Sequence, residues 1–221
     1  NRPFLVARFA CLDQIPEPFT ADAIILPLSA PAEVLHRYAQ VVPTAVEIPR
    51  GLFGTEESVA RQLQAVSHAG VTAALCGNIG AFPLARQAGM AVIAGFGMNI
   101  TNSDSLDAMA AHGVSAAVLS QELTVRQMRF AEQASLPVGM LAYGRQPLML
   151  MRNCPYKAAS SCAACRKQGA LTDRMGMQFP VACANGCTEL LNSQPLWLAD
   201  KLNALPSLDF LLLHFTDESA E

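Results

Sequence analysis

Short apolar runs, each bounded by Gly, Pro, Asn or Ser, recur along this chain with helix-like stretches between them. The runs occupy residues 4–10, 23–28, 44–48, 71–76, 90–95, 115–120, 137–143 and 210–215. They are nearly continuous in apolar character, as strands covered on both faces are, rather than alternating as half-exposed strands do. The clearest helical stretches are 32–40, 56–68, 105–112, 124–134 and 189–205. In the second of these, Val59, Leu63 and Val66 fall on one face at spacings of four and three. Thr124 is placed to cap the fourth, and Ser103 or Asp104 to start the third. Eight strands alternating with helices predict an α/β fold, a compact (β/α)8 TIM-like barrel, with an open doubly wound sheet as the alternative. The first connection, 11–20, holds Pro16 and Pro18 and is not expected to be a regular helix. At 221 residues and 52% hydrophobic, the chain suffices for one sizeable core.

Residues 145–188 interrupt the alternation after the seventh strand. That connection leaves the carboxyl end of a barrel strand, the face on which barrel active sites sit. The expected organisation is one barrel domain over residues 1–221 with this insertion, cut from a longer protein, since the chain begins at Asn1. Five of seven cysteines lie in the insertion, spaced Cys154-x7-Cys162-x2-Cys165-x17-Cys183-x3-Cys187, while Cys11 and Cys76 sit in or beside apolar runs. An odd cysteine count in a domain too large to need staples favours a reducing, cytoplasmic compartment. A Cys-x2-Cys turn lets two sulfurs face one ion, so Cys154, Cys162, Cys165 and Cys183 form the expected metal set, with Cys187 able to replace Cys183. Four thiolates suit tetrahedral zinc or a four-iron four-sulfur cluster equally. Zinc held this way would be structural, pinning the insertion over the barrel mouth. Paired disulfides and unligated thiols are the competing readings.

The insertion is also basic. Arg145, Arg152, Lys157, Arg166, Lys167 and Arg174 face only Asp173, in a chain of net charge −3. Arg145, Arg152 and Arg174 are therefore candidates to hold a phosphate, a carboxylate or an RNA backbone. The competing readings are a solvated loop and charge balance for an anionic thiolate centre. Glu47, Glu122 and His214 lie at predicted strand ends and are the acid–base candidates. A carboxylate there is also commonly a helix cap or an arginine partner, and a histidine among Leu211, Leu212, Leu213 and Phe215 is also read as core. Asn78, Asn99 and Asn102 cluster at strand ends, where amides orient polar substrates or support left-handed turns. There is no Gly-x-Ser-x-Gly elbow, no His-Glu-x-x-His helix and no complete dinucleotide fingerprint. No run of 18 apolar residues predicts a membrane span. Only 15% of residues are charged, which predicts surface covered by another domain or a second subunit.

Several segments together resemble a known family. Tyr143-Gly144-Arg145-Gln146-Pro147-Leu148-Met149, followed by Met151-Arg152-Asn153-Cys154-Pro155, resembles the signature region of the U-32 peptidases, collagenase-like enzymes of unknown catalytic type. Leu171-Thr172-Asp173-Arg174, Phe179-Pro180-Val181 and the run Glu189 to Leu196 are similar to it as well. So are Gly77-Asn78-Ile79-Gly80, Asn99-Ile100-Thr101-Asn102-Ser103 and Ser120-Gln121-Glu122-Leu123 at successive strand ends. The similarity spans about residues 70–200. It implies a barrel fold and peptidase activity on a peptide substrate. Relatives resembling oxygen-independent hydroxylases, with a four-iron cluster on four cysteines, imply instead chemistry on RNA or an aromatic precursor. A non-catalytic binding domain is the third reading.

Overall fold

The computed structural model describes residues 2–157, 169–184 and 187–220. Seven parallel strands come first: β1 (Phe4–Phe9), β2 (Ala23–Pro27), β3 (Thr44–Ile48), β4 (Ala73–Cys76), β5 (Ala91–Ala94), β6 (Ala116–Val118) and β7 (Val138–Gly144). An excursion follows, with β8 (Pro147–Met151), β9 (Ala170–Thr172), β10 (Gln178–Ala184), β11 (Cys187–Leu191) and β12 (Leu196–Trp197), before the chain returns as β13 (Phe210–Phe215). β13 inserts between β7 and β1, parallel to both, and β6 pairs with β7. The eight parallel strands thereby close into the predicted barrel, and no edge remains except where β12 adds antiparallel to β7.

Alternate residues on each strand serve two cores, because successive side chains point to opposite faces. Ile25, Ala45, Leu75, Val118, Leu141 and Leu212 pack together inside the barrel. Ile24, Leu26, Val46 and Ile48 face outward and pack with Leu35, Val59 and Leu63 of the helices. This double burial is why the strands read as continuous apolar runs.

The helices are α1 (Ala32–Ala39), α2 (Glu56–His68), α3 (Ala81–Gln87) and α4 (Ser103–Ala111). α2 has the predicted bounds and buries the predicted stripe Val59, Leu63 and Val66. α4 starts one turn earlier than predicted. Asn102 caps it: its side chain accepts from the Ser105 N–H at 2.8 Å, and the Ser105 hydroxyl closes the box back onto the Asn102 backbone. The stretch 124–134 forms a 3-10 segment, Gln127–Gln133, in place of the expected α-helix. Thr124 and Gln127 bind each other's backbone at its start.

The largest departure lies beyond β7. No helix forms over 189–205; that stretch contains β11, β12 and a short 3-10 segment, Ala199–Ala204. β11 joins a four-stranded antiparallel sheet in the order β8-β11-β10-β9. The insertion is thus a second small sheet standing on the barrel. Pro195, which cannot donate within a helix, lies between β11 and β12. Among the described residues, no helix is long and apolar enough to cross a membrane.

Candidate active site at the carboxyl-end mouth

Two residues beyond the interior positions Val6, Ala45 and Leu212, the same strand faces present Arg8, Glu47 and His214. The corresponding positions after Leu75 and Ile93 are Gly77 and Gly95. This ring is therefore charged on one side and carries glycines on the other, above an apolar interior. Arg8 reaches across β2 to Glu47: its Nε lies 2.7 Å and its Nη2 2.6 Å from Oε2. Both side chains are mostly buried, at 12% and 16% exposed. Arg8 is in register with His214 on the neighbouring strand.

His214 is 2% exposed. Burial, reinforced by the Arg8 charge, pushes its pKa well below the ordinary histidine value, so the imidazole is neutral near pH 7. Its Nε2 and Arg8 Nη1 are buried with no hydrogen-bond partner among the described residues. Each such orphan costs about 1–3 kcal/mol. Arg50 Nε and Gln121 Nε2 are likewise buried without a partner among the described residues, and all four residues lie at the carboxyl-end face, where barrels do chemistry.

Arg50 roofs the glycine side of this ring. Its guanidinium lies 4.9 Å from the centre of the Phe96 ring, and Nη1 bonds Glu189 Oε1 on β11 at 2.9 Å. A Cβ on Gly77 would come 2.5 Å from Arg50 Cγ, so only glycine admits this side chain. Cys187 Sγ packs against Gly51 closely enough that a Cβ there would overlap it. Arg152 lies 5.0 Å over the Phe53 ring. These three contacts seat the antiparallel sheet on the loop after β3, at the carboxyl-end rim.

The other predicted residues are distributed as follows. Glu122 is exposed and does not meet Glu47 or His214 through any hydrogen bond or ion pair among the described residues. Asn78 Nδ2 donates to the Arg50 carbonyl at 2.7 Å, and its Oδ1 accepts from Ala81 N–H, shaping the loop that carries Arg50. Asn99 adopts a left-handed conformation, φ 51°, and accepts from the Ser120 hydroxyl at 2.6 Å. Asn102 caps α4. Arg145 binds the Asp217 carboxylate and the Asn192 and Ser193 carbonyls, clamping the excursion to the chain end. Arg174 is exposed in the turn between β9 and β10. Arg8 and the Arg50–Glu189 link were not anticipated from sequence, and Gly77 entered only as part of a family-like segment at a strand end. The signal for Arg8 was available: a lone arginine in an apolar strand demands a buried anion.

Cys162 and Cys165 lie outside the described residues, as do Arg166 and Lys167. Among the described residues no three His, Cys, Asp or Glu side chains are grouped closely enough to hold a metal ion. Strand register nevertheless collects the remaining cysteines at one end of the small sheet. Met151 and Cys183 both pair with Thr188, so Cys183 shares the Thr188 face of the sheet, while Cys187, which begins β11 and pairs with Ala184, points to the opposite face, and Cys154 follows β8 three residues on. Cys183 Sγ lies 3.8 Å from Thr188 Oγ1.

A closed parallel barrel with a polar carboxyl-end mouth and a sheet standing over it places the chain in the class of TIM-like α/β barrels. The chain matches Peptidase family U32 over residues 54–177, more than half its length, and belongs to that family. No curated protein matches it.

Proposed function

We infer that this domain is a hydrolase acting on peptide bonds at the barrel mouth, with Arg8, Glu47 and His214 as its working residues. The observation that carries this reading is the pair of buried, unpartnered groups, Arg8 Nη1 and His214 Nε2. The neutral imidazole takes the proton from the attacking water through its open nitrogen. The open Arg8 N–H donates to the carbonyl oxygen as negative charge develops on it. Glu47, bound to the other edge of the guanidinium, fixes the direction of that donor. The leaving amine recovers the proton from His214, which balances the step and returns the imidazole to neutrality.

The insertion's role is to cover and shape the mouth. Cys154, Cys162, Cys165 and Cys183, with Cys187 as a substitute, are proposed to hold one thiolate-bound centre that pins it, zinc or a four-iron four-sulfur cluster. Support comes from the sequence, where the Cys162-x2-Cys165 spacing lets two sulfurs face one ion. A substrate's acidic groups would meet Arg152 and Arg174 on that sheet.

The test is peptide cleavage by the wild type and by His214→Gln and Arg8→Lys, with folding checked by circular dichroism. Each variant is expected to lose about 10²-fold or more in kcat. Cleavage unaffected by both substitutions would remove the assignment. Elemental analysis of anaerobically purified protein decides the centre. One zinc per chain keeps the hydrolase reading. Four irons with a brown colour transfer it to hydroxylation of RNA or an aromatic precursor.

A further inference from the structure

We propose that the amino-end half of the barrel is a binding site for a small, uncharged, apolar molecule, separate from the mouth. A cavity of about 230 Å³ lies there, bordered by Val6, Ala23, Ala45, Ala73, Ile93 and Ala116. Barrel interiors are ordinarily filled by layers of bulky branched side chains. Here Ala23, Ala73 and Ala116 line the amino end, and the bulk comes from Phe210 and, at the rim, Phe4 and Pro43. Even the Phe210 ring is spent on its neighbour: it fills the space a side chain on Gly139 would need.

The site is closed toward the mouth and open away from it. Ile25, Leu75, Val118, Leu141 and Leu212, each at most 5% exposed, form a packed floor below Arg8, Glu47 and His214. Phe4, 43% exposed, and the exposed Thr72 lie on the outer rim. Nothing in the lining carries a charge, and the Thr44 hydroxyl already donates to the Val42 carbonyl at 2.9 Å. Water needs two to four polar partners to reside in a cavity, and the side chains here offer it only two threonine hydroxyls, one of them already engaged. An engineered apolar cavity of about 150 Å³ binds benzene or xenon. This larger one accommodates a compact hydrocarbon or aromatic of about six to ten carbons. It is below the roughly 300 Å³ at which drug-sized ligand pockets begin, so a peptide or a nucleotide is excluded.

The experiment follows the methyl NMR signals of Ile25, Ile93 and Val118 in the 221-residue chain while benzene or indole is added, and separately under xenon pressure. Saturable shifts at these methyls, with a melting temperature that rises with ligand concentration, are expected. Ala73→Leu and Ala116→Leu fill the cavity and should abolish the shifts, whereas Arg8→Ala at the mouth should leave them. Equal shifts in the filled variants would overturn the proposal. So would wild-type methyls that respond to neither the aromatic probes, up to their solubility, nor xenon. The xenon arm needs no variant and decides the matter if the filled ones fail to fold.

Discussion

Gly144 ends β7 at φ +122°, a conformation that side-chain-bearing residues rarely adopt, and its missing Cβ would overlap the His214 carbonyl oxygen. Glycine here lets β7 and β13 approach closely at the level of His214, whose register partner it is. Gly144→Ala should therefore lower stability by about 3 kcal/mol or more, measured by chemical denaturation, with backbone strain and the clash adding. Asn102→Ala removes a cap whose loss costs about 1 kcal/mol, readable in the same assay. At this scale the sequence was informative about position and silent about partnership. Glu47 and His214 were visible as polar residues closing apolar strands. Arg8 was not, because its partner is 39 positions away and is met only when β1, β2 and β3 lie side by side. The asparagines were read as substrate-orienting amides or as supports for left-handed turns, and Asn99, at φ 51°, is the second. Their hydrogen bonds are to Arg50 and Ser120 of neighbouring strand-end loops and, for Asn102, to Ser105 in its own helix start.

Elements with one strong period were legible: the eight barrel strands, α1 and α2. α3 was missed because it is only seven residues long and contains Pro83, tolerated because it falls in the first turn. The antiparallel sheet was missed although Asn185-Gly186, a strong hairpin dipeptide, separates the paired strands β10 and β11. The cysteines drew attention to the same segment as a loop. Glu189 on β11 is the joint between this sheet and the barrel, through Arg50. With side chains 24% and 20% exposed, the pair is only partly screened, and a charge-assisted bond of this kind is worth about 1.5–3 kcal/mol. Glu189→Gln should loosen the sheet without unfolding the barrel. Hydrogen exchange should quicken on β10 and β11 and stay unchanged on β2 to β4; equal acceleration in both would mean that the joint serves the whole fold.

Taken as one body, the barrel is polar at one end and apolar at the other, and its polar end sets how stability responds to pH. His214 has a native pKa well below its unfolded value of about 6.5, because burial and Arg8 both oppose protonation. The unfolded chain therefore binds a proton that the folded chain refuses. The stabilisation is complete above pH 6.5 and is lost as pH falls from there toward the native pKa, by up to about 1.4 kcal/mol per pH unit. On the alkaline side, Tyr143 is pushed up to about 12 by burial and by the Glu218 carboxylate that accepts its hydroxyl at 2.9 Å. Its contribution is present below pH 10 and lost as pH rises toward 12, so stability should form a plateau between the two groups. Urea midpoints measured from pH 8 to pH 5 should fall, and in His214→Gln the decline between pH 6.5 and 5 should flatten. An unchanged slope in the variant would mean that the acid limb belongs to carboxylates elsewhere and that the His214 imidazole accepts its proton in the folded barrel.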